Sequence, residues 1–276
     1  MTDWEIQPLS DGPFWLDGGT IFGTVPKALW QKLEQPDEKN RIPVALTSYL
    51  LRNGSHTVLL EAGMGEGYTP KQMEIYGLSD EAPRLPDQLR DLGVAPEDVD
   101  MVILSHLHLD HAGWCTRKDG DEFVPTFPNA EYIVQRGEFE SASAPNPYTR
   151  GSYLPRHIEP IERAGLWGLV DGDAELLPGL SVAVTGGHTV HHQIAVIENS
   201  DGRKSCFLGD FVPTRHHLRV HYASAYDQYP LELVNKKIEM LATAAAEEWQ
   251  LLFNHDSELT IEKIRAGDDG HYHIVP

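Results

Sequence analysis

The sequence predicts one layered α/β domain in which β-sheets pack on each other and helices cover the outer faces. Three observations carry that expectation. Short β-type runs alternate with fewer helical stretches, and two Asx-Gly dipeptides stand between neighbouring runs as hairpin signals. The 276 residues are 41% hydrophobic and 23% charged, which suffices for a substantial core. No Ser/Gly/Pro-rich or charge-run linker divides the chain, and no period of roughly 20 to 50 residues repeats, so residues 1–276 read as a single domain.

In chain order the β-type runs fall at 44–51, 56–61, 102–104, 132–134, 180–184, 194–197, 205–208 and 250–253. They are short, apolar and bounded by turn residues, as strands of packed sheets are. Asn53-Gly54 separates the first pair, and Asp201-Gly202 stands between Ile197 and Cys206. Both dipeptides read as type I′ turns joining antiparallel neighbours. Helical spacing appears at 85–92, closed by Gly93, in a short turn opened by Pro96, and at 231–248. In the last of these, Leu233, Lys237, Met240, Leu241 and Ala244 recur at helical spacing.

Charge and termini narrow the range of functions. Asp plus Glu number 42 against 22 Lys plus Arg, and the resulting net charge of −20 opposes a phosphate-tracking groove, so no nucleic-acid partner is expected. The opening MTDWEIQPLSDGPFWLDGG carries acids where a secretory leader needs positive charge. No apolar run approaches the roughly 20 residues of a spanning helix, and a soluble, cytoplasmic protein without a membrane partner is expected. Cys115 and Cys206 then read as thiols.

The chemistry concentrates in Ser105-His106-Leu107-His108-Leu109-Asp110-His111-Ala112-Gly113, which follows the apolar run Met101-Val102-Ile103-Leu104. One histidine alone reads as a surface or hydrogen-bonded core residue; three imidazoles and a carboxylate within six positions at a strand end read as a metal site. His106 and His108 can converge on one ion, while Asp110 and His111 turn toward a second. Further donors stand just after apolar runs: His188 after Gly186-Gly187, Asp210 after Gly209, and His255 after Asn254. Glycines beside His188 and Asp210 permit the tight turns that a site built from loops requires.

With this motif order the sequence resembles the metallo-β-lactamase-fold hydrolases from Asp17 to His255. The resemblance implies an αββα sandwich, two mixed β-sheets flanked by helices, with a dinuclear site on the rim. It assigns His106, His108 and His188 to one metal, Asp110, His111 and His255 to the other, and Asp210 to the bridge. Two divalent transition-metal ions per chain follow, zinc first, with manganese, iron or cobalt suiting the same donors.

Within that family the text is most similar to lactonases of the YtnP quorum-quenching type. SHLHLDHAG is shared with acyl-homoserine lactonases generally, and the YtnP likeness rests on Gly209-Asp210-Phe211-Val212-Pro213-Thr214, His217-Leu218, Tyr226-Asp227-Gln228-Tyr229-Pro230 and the opening Thr20-Ile21-Phe22-Gly23-Thr24-Val25-Pro26-Lys27. The implied reaction is hydrolysis of a small-molecule lactone or ester, most simply an N-acyl-homoserine lactone, by a metal-bridging hydroxide, with Asp110 as catalytic proton shuttle. Alternatives within the fold are a phosphotriesterase or aryl esterase and a glyoxalase II-like thioesterase; a metal-binding module without turnover is the alternative from another class. A homodimer is compatible with the resemblance.

Phe22, Trp114, His217 and Tyr226 are the candidate substrate contacts, with Trp15 and Met64 as further candidates for the pocket wall. Cys115 reads as a bystander, and His191 and His192 as supporting or surface groups. Three departures from the family pattern stand out. Pro213 occupies the position of a lactone-contacting tyrosine, Thr189-Val190-His191-His192 replaces Thr-Pro-Gly-His, and Glu61-Ala62-Gly63 replaces Asp-Thr-Gly.

Overall fold

The structure is a computed structural model that describes residues 3–275 except 80, 81, 83 and 259. Its strands are β1 (Glu5–Asp17), β2 (Arg41–Arg52), β3 (Thr57–Leu60), β4 (Met101–Ile103), β5 (Thr116–Asp119), β6 (Glu122–Pro125), β7 (Glu131–Gln135), β8 (Trp167–Val170), β9 (Ala174–Leu177), β10 (Leu180–Val184), β11 (Gln193–Glu198), β12 (Lys204–Phe207), β13 (Gln250–Leu252), β14 (Ile261–Ala266) and β15 (Tyr272–Ile274). The α-helices are α1 (Gly18–Phe22), α2 (Lys27–Trp30), α3 (Pro70–Tyr76), α4 (Leu85–Asp91), α5 (Arg136–Ser143), α6 (Pro155–Ala164) and α7 (Pro230–Ala246).

Two mixed sheets result. The first has the order β1-β2-β3-β4-β7-β8, antiparallel as far as β3 and parallel beyond it. The second has the order β15-β14-β13-β12-β11-β10-β9, antiparallel except where β12 runs parallel to β13. Strands β5 and β6 form a separate hairpin.

Side chains alternate across each strand, and β2 shows what that alternation does. Tyr49 and Leu51 face the second sheet, in a cluster with Val182, Ile197, Phe207 and Leu252. Leu50, between them, faces the opposite way into a cluster with Leu85 and Leu89 of α4 and Ile158 and Ile161 of α6. The second sheet repeats the pattern: Ile194, Cys206 and Leu251 pack against Leu233, Leu241 and Ala244 of α7. The layers are therefore helix, sheet, sheet, helix, the αββα order implied by the resemblance.

Both expected hairpins form, but neither is a type I′ turn. The β2–β3 connection runs over four residues, 53–56, and Asn53 keeps a negative φ while its side chain accepts the N–H groups of Ser55 and His56. The β11–β12 loop spans 199–203, closed by Asn199 N–H to the Arg203 carbonyl at 3.0 Å and by Gly202 N–H to the Asn199 carbonyl at 2.9 Å. The asparagine and aspartate side chains stabilise wider loops through their own backbone contacts, which competes with the two-residue turn. Cys115 and Cys206 are both free and buried. Among the described residues no helix is long and apolar enough to cross a membrane.

One feature of the topology positions the site. Strands β3 and β4 are parallel, as are β12 and β13, and β10 has the direction of β12 because both are antiparallel to β11. The segments after β3, β4, β10, β12 and β13 leave their sheets at carboxyl ends, where loops are free to carry chemistry on a rigid frame.

Candidate metal centre

The seven donors meet on that rim. The loop after β4 delivers His106, His108, Asp110 and His111, and it is held by His111 and Ala112 N–H bonds to the His108 carbonyl and by Leu109 N–H to the Ser152 carbonyl. Gly209 precedes Asp210 with φ 49°, and a Cβ there would stand 2.6 Å from Ser105 Oγ and 2.8 Å from His192 Nε2. Only glycine lets the Asp210 turn approach the histidine loop this closely.

Asp210 lies between two groups of nitrogens. Its Oδ2 is 3.1 Å from His188 Nε2 and 4.0 Å from His106 Nε2; its Oδ1 is 3.0 Å from His255 Nε2 and 3.3 Å from His111 Nε2. Asp110 Oδ2 is 3.8 Å from His111 Nε2 and 3.7 Å from His255 Nε2. Ring nitrogens also face one another, His188 Nε2 and His108 Nδ1 at 3.1 Å, and His255 Nε2 and His111 Nε2 at 3.2 Å. His106 Nε2 is buried with no hydrogen-bond partner.

Such convergence of lone pairs is costly without a cation, and the donors fall into two sets: His106, His108, His188 and Asp210, then Asp110, His111 and His255, each within 4.8 Å. Nitrogen and carboxylate donors in these numbers fit divalent transition ions.

The outer nitrogen of four of the rings is also fixed. His106 Nδ1 is 3.0 Å from Ser105 Oγ, His111 Nδ1 3.0 Å from Glu61 Oε2, His188 Nδ1 2.8 Å from Asp227 Oδ1, and His255 Nδ1 2.8 Å from the Ala45 carbonyl. These contacts leave Nε2 directed inward, the arrangement that orients metal-binding histidines. Glu61 performs this service from a left-handed backbone, φ 64°, and its other oxygen accepts Ser105 N–H at 2.7 Å. The Glu61-Ala62-Gly63 departure thus keeps a carboxylate behind His111.

His192 is buried, and its Nε2 accepts the Asp210 N–H at 3.2 Å. Glu138 of α5, which the sequence did not single out, accepts Leu107 N–H, Tyr153 O–H and Thr189 O–H, and so ties the His106–His108 loop to the residue after His188. Burial holds the pKa values of His106 and His108 well down, and the neighbouring imidazoles add to it. Burial works against the Asp210 carboxylate, but His111, His188 and His255 outweigh it and hold its pKa well below the usual range.

A cavity of about 260 Å³ opens beside these donors, with Asp110, Asp210, His108 and His255 at one end and Phe14, Leu16, Ile21, Leu109 and Pro213 along the wall. Tyr76 and Tyr226 complete it. A neighbouring space of about 240 Å³ shares His108, Ser152 and Tyr226 and adds Thr20, Thr149 and Gln228. Of the expected substrate contacts, Tyr226 lies on both walls.

The other three lie elsewhere. Phe22 is buried in a cluster, stacked on Trp30 at 5.5 Å and on His217 at 5.9 Å. Trp114 donates Nε1–H to Asp11 Oδ1 at 2.6 Å beneath the Arg84 guanidinium, outside both cavities. His217 joins Thr214 Oγ1 at 2.8 Å to the Ile21 carbonyl at 3.1 Å, a tie between two loops. Burying these rings satisfies packing and hydrogen bonding that a solvent-facing wall would leave unmade. Met64 is likewise a core residue, Trp15 packs against Gly77, and neither lines the 260 Å³ cavity. Leu109 had a visible signal, being inside the histidine run; Phe14, Leu16 and Tyr76 had none beyond apolarity.

A profile of the metallo-beta-lactamase superfamily matches residues 41–264. An N-acyl homoserine lactonase of Bacillus cereus is 28% identical over 229 residues, covering 79% of this chain and 84% of that protein. The crystal structure of a probable metal-dependent hydrolase from Staphylococcus aureus superposes with a TM-score of 0.89 at 30% identity, covering 100% of this chain and 98% of the other. AidC, a dizinc quorum-quenching lactonase solved with a product, superposes with a TM-score of 0.80 at 17% identity over 100% and 95% of the two chains, a likeness of fold. With the match spanning most of its length, the chain belongs to the metallo-beta-lactamase superfamily.

Proposed function

We propose that this chain is a dinuclear metal hydrolase that opens N-acyl-homoserine lactones or related lactones. The observation that carries the reading is Asp210, whose two oxygens face two separate donor groups at 3.1 and 3.0 Å. In this reading His106, His108 and His188 would hold one ion and Asp110, His111 and His255 the other, with the Asp210 carboxylate placed to serve both; zinc is the first assignment. The lactonase relatives support a lactone as substrate. The continuity of β1 with the first sheet and of β14 and β15 with the second supports a single domain over residues 1–276.

Ions bound there supply Lewis acidity to an ester carbonyl and to the attacking water. The chain's own groups do the rest. Phe14, Leu16, Ile21 and Leu109 form an apolar wall for an acyl chain. Tyr226, between the two cavities, can donate a hydrogen bond to a carbonyl; burial and the nearby Asp110 charge raise its pKa to about 12, so it stays a protonated donor through the neutral range. Asp110 borders the cavity and can pass a proton to the ring oxygen as the acyl–oxygen bond breaks. Water adds to the carbonyl carbon, the ring oxygen leaves as a hydroxyl, and a hydroxy acid results.

Elemental analysis of the purified protein with a hydrolysis panel tests the proposal. About two equivalents of divalent metal are expected from the two donor sets, and Asp210→Ala should lower metal content and lactone turnover together. Full occupancy in Asp210→Ala would remove the bridging assignment. Rapid hydrolysis of paraoxon or S-lactoylglutathione without any lactone turnover would move the substrate to phosphotriesters or thioesters.

A further inference from the structure

Lys237 is a buried charge that the chemistry above leaves unused. It lies on α7 at 0% exposure, on the helix that also buries Leu233, Leu241 and Ala244. Its ammonium donates to the Tyr222 carbonyl at 2.7 Å. An apolar side chain of the same length would cover the sheet without the desolvation cost of an ammonium, so the charge calls for a purpose.

What the ammonium meets is the start of the segment 222–229, which folds over His188. Asp227 Oδ1 is 2.8 Å from His188 Nδ1, while Asp227 Oδ2 accepts Ser224 N–H at 2.7 Å. Gln228 and Tyr229 N–H groups donate to the carbonyls of His188 and Gly187 at 3.0 and 2.8 Å. Ser224 and Tyr226 line the 260 Å³ cavity. The segment therefore sets both a histidine and a wall. The charged and titratable groups that act on Lys237 or are acted on by it are Asp227, His217 and His221. Burial pushes the ammonium down to about 7, with the Asp227 charge opposing that shift.

We propose that Lys237 is a positioning residue that anchors the segment 222–229 from inside the fold, keeping Asp227 on His188 and Tyr226 on the cavity wall. The consequence for metal retention rests on the reading of His188 as a ligand; the anchoring itself does not. Lys237 reaches neither substrate nor donors, and acts through Tyr222 and Asp227.

Hydrogen–deuterium exchange on the full chain, with and without zinc, compares wild type with Lys237→Met and with Lys237→Gln, which keeps an N–H donor. Peptides covering 222–229 should exchange about tenfold faster in Lys237→Met, with Lys237→Gln between it and wild type. In the zinc-loaded protein, one of the two metal equivalents should be lost to a chelator about tenfold more readily in Lys237→Met. Unchanged exchange across 222–229 in Lys237→Met would overturn the proposal. If wild type binds no metal, the function reading fails while the exchange comparison still decides the anchoring. Should both variants fail to fold, selective ¹⁵N-lysine spectra of wild type at about pH 6, below the lowered Lys237 value, decide: one slowly exchanging ammonium is expected, and none protected would overturn the anchor.

Discussion

Glu61 Oε2 lies 3.0 Å from His111 Nδ1, with both side chains fully buried and the second Glu61 oxygen committed to Ser105 N–H. One carboxylate thus orients a donor of one group and braces the loop that begins the other. Glu61→Gln keeps the size and can still accept the Ser105 N–H, but loses the charge opposite His111. Metal retention should fall about 10- to 100-fold, the usual cost of removing such a supporting group. Chelator competition measures it, and wild-type retention would assign Glu61 to loop structure alone.

Asp110→Asn separates proton transfer from ligation. A positioned general acid contributes on the order of 10² to 10⁴ in rate, so kcat should drop by that much while most metal stays bound. Parallel loss of metal and rate in stopped-flow and elemental measurements would leave Asp110 a ligand only.

The wall of Phe14, Leu16, Ile21 and Leu109 should reward longer acyl chains. Each buried methylene is worth about 0.8 kcal/mol, close to fourfold in kcat/KM, until the space is filled. Leu16→Ala should flatten the chain-length profile from C4 to C12, whereas Trp114→Phe should leave its slope alone because Trp114 lies outside that cavity. A profile already flat in wild type would show that the acyl chain binds elsewhere.

Acid sensitivity has a source away from the metal centre. His157 of α6 is buried with neither ring nitrogen paired, and burial, with the Arg156 charge beside it, pushes its pKa down to about 3. The unfolded chain protonates this imidazole near its ordinary value of about 6.5, so stability is lost as pH falls from there toward 3, by about 1.4 kcal/mol per pH unit. His157→Phe removes that slope. Chemical denaturation of metal-free protein at pH 7 and pH 4.5 should show the wild type losing about 2–3 kcal/mol more than the variant. Equal losses would mean that the wild-type ring gains a proton without cost.

What the sequence disclosed follows from how narrowly each role restricts residue type. Few side chains bind a divalent ion, so His106, His108, Asp110, His111, His188, Asp210 and His255 stand out as a set and are neighbours in space. A cavity wall and a core both use aromatic and aliphatic side chains, so residue type alone does not separate Phe22 and Trp114, which lie outside the 260 Å³ cavity, from Phe14 and Leu16, which line it. Strand β1 is absent from the sequence-predicted runs because Pro8, Gly12 and Pro13 interrupt any apolar alternation; it pairs with β2 through a register shift between Ser10 and Pro13. Strand β14 carries Glu262, Lys263 and Arg265 near the sheet edge, where charge replaces the apolar signal. Glu138 has no local signature at all, since Arg136-Gly137-Glu138 carries neither an apolar run nor a donor pattern and the carboxylate gains its role only from the packing that buries it on α5.

The donors come from loops of both sheets: four follow β4, and the other three follow β10, β12 and β13. Neither half of the chain contains a complete pair of donor groups. A nascent polypeptide released as far as Gly113 would own His106, His108, Asp110 and His111 but lack Asp210, and the remainder alone would own, of the seven, only His188, Asp210 and His255. Tight loading with two ions thus becomes a certificate of assembly, granted only once the first sheet has met the second.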